Sequence, residues 1–220
     1  MKEAVSKKTA AILVEPIQGE GGVYPATKEY LEGLRELCDK EGILLIFDEI
    51  QTGIGRTGEL FAYQKYGVEP DIFTLAKALG NGVPVSAFLA KDEVAKAFNP
   101  GEHGSTFGGN SLACRAAYET VSKLLDDDLL SHVKEIGDYF KEELAALKEK
   151  YDLVTDLRGK GLMLGLELKK GAKEVVKKLL ERNILILTAG ENVLRFLPPL
   201  IITKEEVDKL IKELNKILSN

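Results

Sequence analysis

Apolar residues fall along this chain in two rhythms. Short runs rich in Ile, Leu and Val, AAILVEP at 10–16 and ILLIFDEI at 43–50, have the length and composition of buried strands. Between them Tyr30, Leu31, Leu34, Leu37 and Cys38 recur at helical spacing, with Thr27 placed to cap that helix and Gly42 to end it. DIFTLA (71–76) and VSAFLA (85–90) predict two more buried strands, separated by the turn sequence GNGVP. Strands alternating with helices predict an α/β fold, with a mostly parallel sheet covered by helices.

The rhythm changes after Gly109. The spacing predicts a helix from Asn110 to about Leu125 and a second from about Leu129 to Tyr151, with Val133, Ile136, Phe140, Leu144 and Leu147 as its apolar stripe. LMLGLEL, NILILTA and NVLRFL then read as strands, interrupted by an amphipathic helix around Val175–Leu180. Thr203 and Glu206 form a T-x-x-E capping box at the start of a last helix, whose buried face is Val207, Leu210, Ile211, Leu214 and Ile217. Residues 1–118 are therefore expected to form one α/β domain, and 119–220 the connecting helices and a small α+β domain.

Composition narrows the function. Thirty basic against 35 acidic residues leave a net charge of −5, and no run of Lys and Arg stands out, which argues against nucleic acid or an anionic membrane as partner. The longest apolar runs are too short to span a bilayer. MKEAVSKKTA lacks the apolar core of a signal peptide. Cys38 and Cys114 lie in separate helical patterns without metal-ligand spacing, and read as packing residues of a chain in the reducing cytoplasm. There is no His pair, Cys cluster or H-E-x-x-H, so no metal is expected. His103 and His132 read as a loop-edge residue and a solvated helix residue.

The chemistry concentrates in two stretches. In FDEIQTGIGRTG (47–58), Asp48 and Glu49 end an apolar strand, and open α/β sheets collect ligands outside the carboxyl ends of their strands. Alone, the stretch is better read as an acidic strand end before a Gly-rich loop. The functional reading is a carboxylate for a protonated pyridine nitrogen, with Gln51 reaching the ring's phenolic oxygen. In DIFTLAKALGNGVP (71–84), Lys77 follows an apolar run. A lone Lys is nearly always a solvated charge, yet one at the mouth of a sheet can lose its proton and bond an aldehyde. HGSTFGGN (103–110) is a polar, Gly-rich turn, a type that binds phosphate only sometimes.

Together EPIQGEGG (15–22), FDEIQTGIGRTG, TLAKALGNGVP (74–84), HGSTFGGN, RGKGLMLGLEL (158–168) and LRFLPPL (194–200) resemble, in order and approximate spacing, the class III aminotransferases. The resemblance implies part of the fold-type I large domain plus a small C-terminal domain, pyridoxal 5'-phosphate as cofactor, and a homodimer with shared active sites. It implies amino-group transfer between an ω-amino acid such as N-acetylornithine and 2-oxoglutarate, as in arginine or lysine biosynthesis. By the same resemblance Lys77 is the Schiff-base lysine, Asp48 the ring-nitrogen partner, Gln51 the phenolic-oxygen contact and Glu49 a further cofactor contact. Thr106 reaches the phosphate of the neighbouring subunit, with Ser105 near the substrate. Arg195 grips the substrate α-carboxylate, a task suited to a two-pronged guanidinium. Glu20 neutralises that arginine in one half-reaction, with Glu15 as a second candidate. RGKGLMLGLEL reads as structural, its glycines allowing tight strand pairing.

Members of the family are nearly twice this length. The Ser-Gly-Thr-type phosphate loop, the aromatic residue that stacks on the ring and a second substrate arginine belong to an N-terminal portion with no counterpart here. Two other readings stay open: an aminotransferase for ornithine, succinylornithine or 4-aminobutyrate, and a non-catalytic half-module without the phosphate loop.

Overall fold

The computed structural model describes residues 2–126 and 128–219. They form two units. The first comprises Met1–Pro16, Ala26–Ile54 and Glu59–Asp127; the second comprises Ile17–Pro25, Gly55–Gly58 and Asp128–Asn220. This division differs from the expected one at 118/119. The helix α4 (Ser111–Asp126) stays whole in the first unit, and two short excursions of the N-terminal half belong to the second.

The first unit is built on a four-stranded sheet. Its strands are β1 (Ala11–Val14), β4 (Leu44–Asp48), β5 (Ile72–Leu75) and β6 (Ala87–Ala90), in that order. β1, β4 and β5 run parallel, and β6 pairs antiparallel with β5. Helix α1 (Lys28–Glu41) begins where Thr27 accepts a hydrogen bond from the Tyr30 N–H at 3.1 Å, and ends at Gly42, whose φ of 66° is left-handed. It packs Leu31, Leu34, Leu37 and Cys38 against Ile12, Leu45 and Phe47, and α2 (Ala62–Tyr66) adds Tyr66 to the same core. Burial is one-sided, because these helices cover one face. Leu13, pointing the other way, is 64% exposed, and the strands expected to be buried throughout instead alternate. β6 departs furthest: Phe88 and Leu89 are exposed on an edge strand with β5 as its one sheet neighbour.

Asp71, just before β5, pins this sheet. Its carboxylate accepts from the Leu45 N–H at 2.8 Å, Arg35 Nη1 of α1 at 2.9 Å and Lys91 Nζ at 3.2 Å. Burial pushes the carboxyl up, but those donors outweigh it and the net shift is downward. The short helix α3 (Asp92–Ala95) follows Lys91.

The second unit carries an antiparallel sheet in the order β7 (Val154–Lys160), β8 (Met163–Leu168), β10 (Val193–Phe196), β9 (Leu187–Ala189). One face is packed by α5 (Leu129–Lys150), α6 (Ala172–Leu180) and α7 (Lys204–Leu218) around Leu162, Leu164, Leu166, Phe140 and Phe196. The capping box of α7 forms as expected, Thr203 accepting from the Glu206 N–H and Glu206 from the Thr203 N–H. The other face takes a hairpin that the sequence pattern did not predict, β2 (Ile17–Gln18) and β3 (Tyr24–Pro25), whose Ile17 and Val23 are buried with Met163 and Val193.

Backbones come close at the β7–β8 turn. A Cβ on Gly161, whose φ is 54°, would lie 2.6 Å from the Thr57 carbonyl carbon, and a Cβ on Gly137 of α5 would lie 2.8 Å from Gly161. Gly33 of α1 has nothing within 4 Å of its notional Cβ. Gly137→Ala is therefore expected to lower stability by about 1–3 kcal/mol, as overpacking does. Gly33→Ala should raise it by about 0.5–1 kcal/mol through helix propensity. Denaturant midpoints of the two variants check this, and shifts of the same sign would show that the packing around Gly137 is not what sets its preference for glycine.

Candidate active site

Two of the sequence candidates meet at the carboxyl end of the parallel sheet. Asp48 ends β4 and stands in register with Thr74 of β5, and Lys77 follows three residues later. Thr74 Oγ1 donates to Asp48 Oδ1 at 3.2 Å, as does the Ile50 N–H at 3.0 Å. Among the described residues the hydrogen bonds to Asp48 fall on Oδ1, so Oδ2 is the oxygen open to a further donor. Asp48 is half-buried and Lys77 exposed. Lys77 opens a short 3-10 turn, Lys77–Leu79, with a φ of 44°, a left-handed conformation that side-chain-bearing residues seldom adopt and that concentrates at functional positions. The chain then turns tightly at Gly80, where a Cβ would meet the Val83 carbonyl oxygen at 1.9 Å.

Glu49, beside Asp48, is 1% exposed and both its oxygens are taken: Oε2 accepts from the Ala62 N–H at 2.6 Å and Thr52 Oγ1 at 3.2 Å, Oε1 from the Tyr63 N–H at 2.8 Å. It caps the start of α2, where Phe61 has no side-chain acceptor to offer. Burial raises its pKa, against the lowering pull of those donors. Gln51 is half-buried in the loop after β4, and Glu15 lies half-buried just past β1. Ser105 and Thr106 are exposed, and Ser105 Oγ accepts from the Gly108 N–H at 2.9 Å. Ser105 lines an open cavity of about 490 Å³ with Pro84, Ser86, Asn110 and Ala113.

The second unit brings Glu20 and Arg195 together. Arg195 of β10 is 8% exposed, and its Nη1 donates to Glu20 Oε1 at 2.5 Å. Among the described residues its Nε–H is buried without a partner, as is Nη2 of Arg158. The Glu20 side chain is 75% exposed. Two further arginines of this unit escaped the sequence reading. Arg56 donates to the carbonyl oxygens of Pro198 at 2.6 Å and Leu162 at 3.2 Å, and burial lowers its pKa to about 10. Arg158 donates to Gly22 O, Asp156 and Glu167. The partners of Arg56 lie 106 and 142 residues away, and the Gly22 contact of Arg158 136 residues away, so none of these contacts shows locally in sequence.

The first unit carries a carboxylate at the end of β4 and a primary amine just past β5, and the second carries a guanidinium paired with an exposed acid; these are groups that an amino-transferring enzyme uses. The aminotransferase class-III family matches residues 1–218. This chain belongs to the class III aminotransferases. It is 53% identical over 222 residues to the acetylornithine aminotransferase of Methanocaldococcus jannaschii, across 100% of this chain and 55% of that protein. It is 52% identical over 212 residues to that of Clostridium acetobutylicum, across 96% and 55%. Among solved structures, acetylornithine aminotransferase from Elizabethkingia anophelis superposes with a TM-score of 0.92 at 41% identity, over 99% of this chain and 57% of that one. An ornithine aminotransferase from Toxoplasma gondii, reported with partial occupancy of PLP at its active site, gives 0.93 at 41% identity, over 99% and 53%.

The fold is thus the fold-type I architecture of this family, and class III membership implies dependence on pyridoxal phosphate. The chain spans about half the length of the curated relatives it matches. No described helix is long and apolar enough to cross a membrane, and among the described residues no group of His, Cys, Asp and Glu could hold a metal.

The capping role of Glu49 is directly testable in this class III chain. Glu49→Gln keeps the volume but turns one acceptor into an NH2 facing a backbone N–H, and is expected to cost about 1–3 kcal/mol of stability. Because the Glu49 pKa is raised on folding, the folded chain keeps this proton to higher pH than the unfolded chain does. The associated stability is full below the ordinary carboxylate value and is lost as pH rises through the raised one. Denaturant titrations across that window should show this slope in the parent and not in Glu49→Gln; a neutral substitution would refute the cap.

Proposed function

We propose that this chain forms the lysine-bearing part of an aminotransferase that moves an amino group between N-acetylornithine, or a similar ω-amino acid, and 2-oxoglutarate. The observation that supports it most directly is the ion pair between buried Arg195 and exposed Glu20. A site that alternates between an amine-bearing substrate and a dicarboxylate needs a carboxylate grip that can be switched off, and an acid on a solvent-facing loop is suited to that. Identity near 50% to proteins named acetylornithine aminotransferase favours this substrate over its relatives.

Pyridoxal 5'-phosphate, when bound, supplies an aldehyde carbon for the amino group and a pyridinium ring that draws electrons from the substrate carbon. Lys77 Nζ would hold the aldehyde carbon, and Asp48 Oδ2 the ring N–H, whose proton the carboxylate charge stabilises. Gln51 would contact the phenolic oxygen, and Thr106 the phosphate in a neighbouring subunit of a homodimer, with Ser105 beside the substrate. With its amine free, Lys77 Nζ would be the base that takes the proton from the substrate carbon and returns it. Arg195 would receive the 2-oxoglutarate carboxylate when Glu20 swings aside, and Glu20 would cover that charge when the ω-amino acid is bound, with Glu15 as the second candidate for that role. The anion-binding loop and the second wall of the pocket fall in the half of the relatives that this chain does not span.

Arg195→Lys is expected to weaken the 2-oxoglutarate half-reaction by about 2–4 kcal/mol, since an ammonium cannot offer two parallel donors. Single-turnover rates of each half-reaction check this in the chain joined to the N-terminal half of a relative; equal small effects on both would make Arg195 structural. Pyridoxal phosphate added to the 220-residue chain should bind weakly, and borohydride should fix it on Lys77. Supplying the N-terminal half should restore the visible absorbance and the turnover of acetylornithine with 2-oxoglutarate, because several hydrogen bonds to a charged phosphate, each worth roughly 1.5–3 kcal/mol, return with it. Label on another lysine would sink the assignment, and turnover by the isolated chain at rates usual for the family would show that the other half is dispensable.

A further inference from the structure

Thr74 is the one polar residue of β5, in the run Ile72-Phe73-Thr74-Leu75. Strand propensity alone would be met as well by Val, which has the same shape without the hydroxyl. The hydroxyl adds a bond that Val could not make: Oγ1 donates to Asp48 Oδ1 at 3.2 Å across the β4–β5 pair. The backbones join at the same point, where the Glu49 N–H donates to Thr74 O at 3.1 Å. Asp48 Oδ1 also accepts from the Ile50 N–H at 3.0 Å, but that bond reaches two residues along the same chain and holds the carboxylate to its own loop. The Thr74 bond ties it to β5, the strand that leads on to Lys77.

The aldehyde carbon and the ring nitrogen of pyridoxal phosphate stand opposite each other across one rigid ring. A ring held through Lys77 therefore presents its N–H at a set place, and an acid meets it well only if the carboxylate keeps one rotation about its Cβ–Cγ bond. A hydrogen bond to a charged acceptor is strong enough to hold such a rotation, and this one leaves Oδ2 open. Glu49, next along the chain, does not compete for the place, because the Ala62 and Tyr63 amides take its carboxylate. We infer that Thr74 is a positioning residue that fixes the Asp48 carboxylate with Oδ2 free for the ring N–H, so that the strand leading to the lysine also sets the angle of the acid. This rests on the reading of Asp48 as the ring-nitrogen partner and Lys77 as the residue bonded to the cofactor. Thr74 acts through Asp48 alone. Its hydroxyl has two opposed effects: by donating it draws negative charge from the carboxylate and weakens the hold on the ring proton, and by fixing the rotation it strengthens that hold. Positioning requires the second to be the larger.

The test holds the ring covalently and reads its proton. Pyridoxal 5'-phosphate labelled with 15N in the ring is reduced onto the 220-residue chain with borohydride, peptide mapping locates the label, and the ring 15N signal is followed against pH. The parent should keep the ring proton to higher pH than Asp48→Asn does. Thr74→Val should lower the midpoint by about 0.5–1 pH unit, the scale of one hydrogen bond. Thr74→Ser, which keeps the hydroxyl and loses the methyl, should titrate with the parent, whereas a residue that only packs would be disturbed by both changes. Thr74→Ala removes the hydroxyl without a methyl against the carboxylate, and gives the same comparison where Thr74→Val does not fold. If the label sits on another lysine, or Asp48→Asn titrates like the parent, the reading of the site fails and this inference with it. If Asp48→Asn lowers the midpoint while Thr74→Val leaves it unchanged or raises it, or Thr74→Ser falls as far as Thr74→Val, the reading stands and the positioning role of Thr74 is overturned.

Discussion

The contact of Asp71 with the Leu45 N–H, Arg35 and Lys91 ties helix α1, the central strand β4 and the lead-in to α3 to the start of β5. One carboxylate thereby sets how β5 lies along β4. The register that follows places Asp48 opposite Thr74, and three residues on the chain reaches Lys77. A slip of one residue would turn every side chain of β5 to the opposite face and part Asp48 from Thr74 Oγ1. The carboxylate is well suited to the task because its partners come from three elements. With a side-chain exposure of 12% it is shielded from water, and its donors still hold the charged form.

In the second unit the same physics is applied to arginine. Three guanidinium groups are largely withdrawn from water, and their partners differ. Arg158 has two carboxylates and a carbonyl, Arg56 has carbonyls and a lowered pKa, and Arg195 has a carboxylate that is mostly exposed. Removing one partner of a buried charge is expensive. Among the described residues Arg158 Nη2 and Arg195 Nε are each buried without a partner, and Arg195 is the one whose carboxylate faces water. That is the arrangement expected of a group kept ready for a ligand carboxylate, in a sheet otherwise held by well-paired charges and a core of leucines.

Much of this was readable in the sequence, and what was not has physical causes. Helices α1, α5 and α7 declare themselves by their stripes, and Thr27, Gly42 and Thr203 cap as their residue types require. The parallel strands follow from runs of Ile, Leu and Val. The β2–β3 hairpin has only two residues per strand, too few to show a period, and α2 and α3 are equally short. Strand β7, VTDLRGK, carries Asp, Arg and Lys, matched by Lys148 and Glu167 of the neighbouring elements, and these charges hide its strand period. The exposure of β6 is invisible in VSAFLA, since apolar content says that a strand should be covered and not what covers it. The capping role of Glu49 was hidden for a related reason. Its position beside Asp48 suggests chemistry, while the amides it caps lie 13 and 14 residues downstream.

The candidate site was legible chiefly through the order of its motifs, because each residue taken alone has a commoner explanation. Folding adds what order cannot: which candidates share an element and how firmly each is held. Asp48 has one oxygen tied and one open, Glu49 has both tied, and Arg195 has one buried N–H unspent. In the proposed reaction these differences sort the roles. A group that must hold one partner through the cycle is best fixed by several neighbours, and one that must exchange partners is best held by a single weak contact. Glu20 is the solvent-facing partner of its pair with Arg195, so a substrate carboxylate that takes its place leaves Glu20 in water and the guanidinium still paired. The exposure of Glu20 is therefore the property that suits Arg195 to two substrates in the proposed reaction.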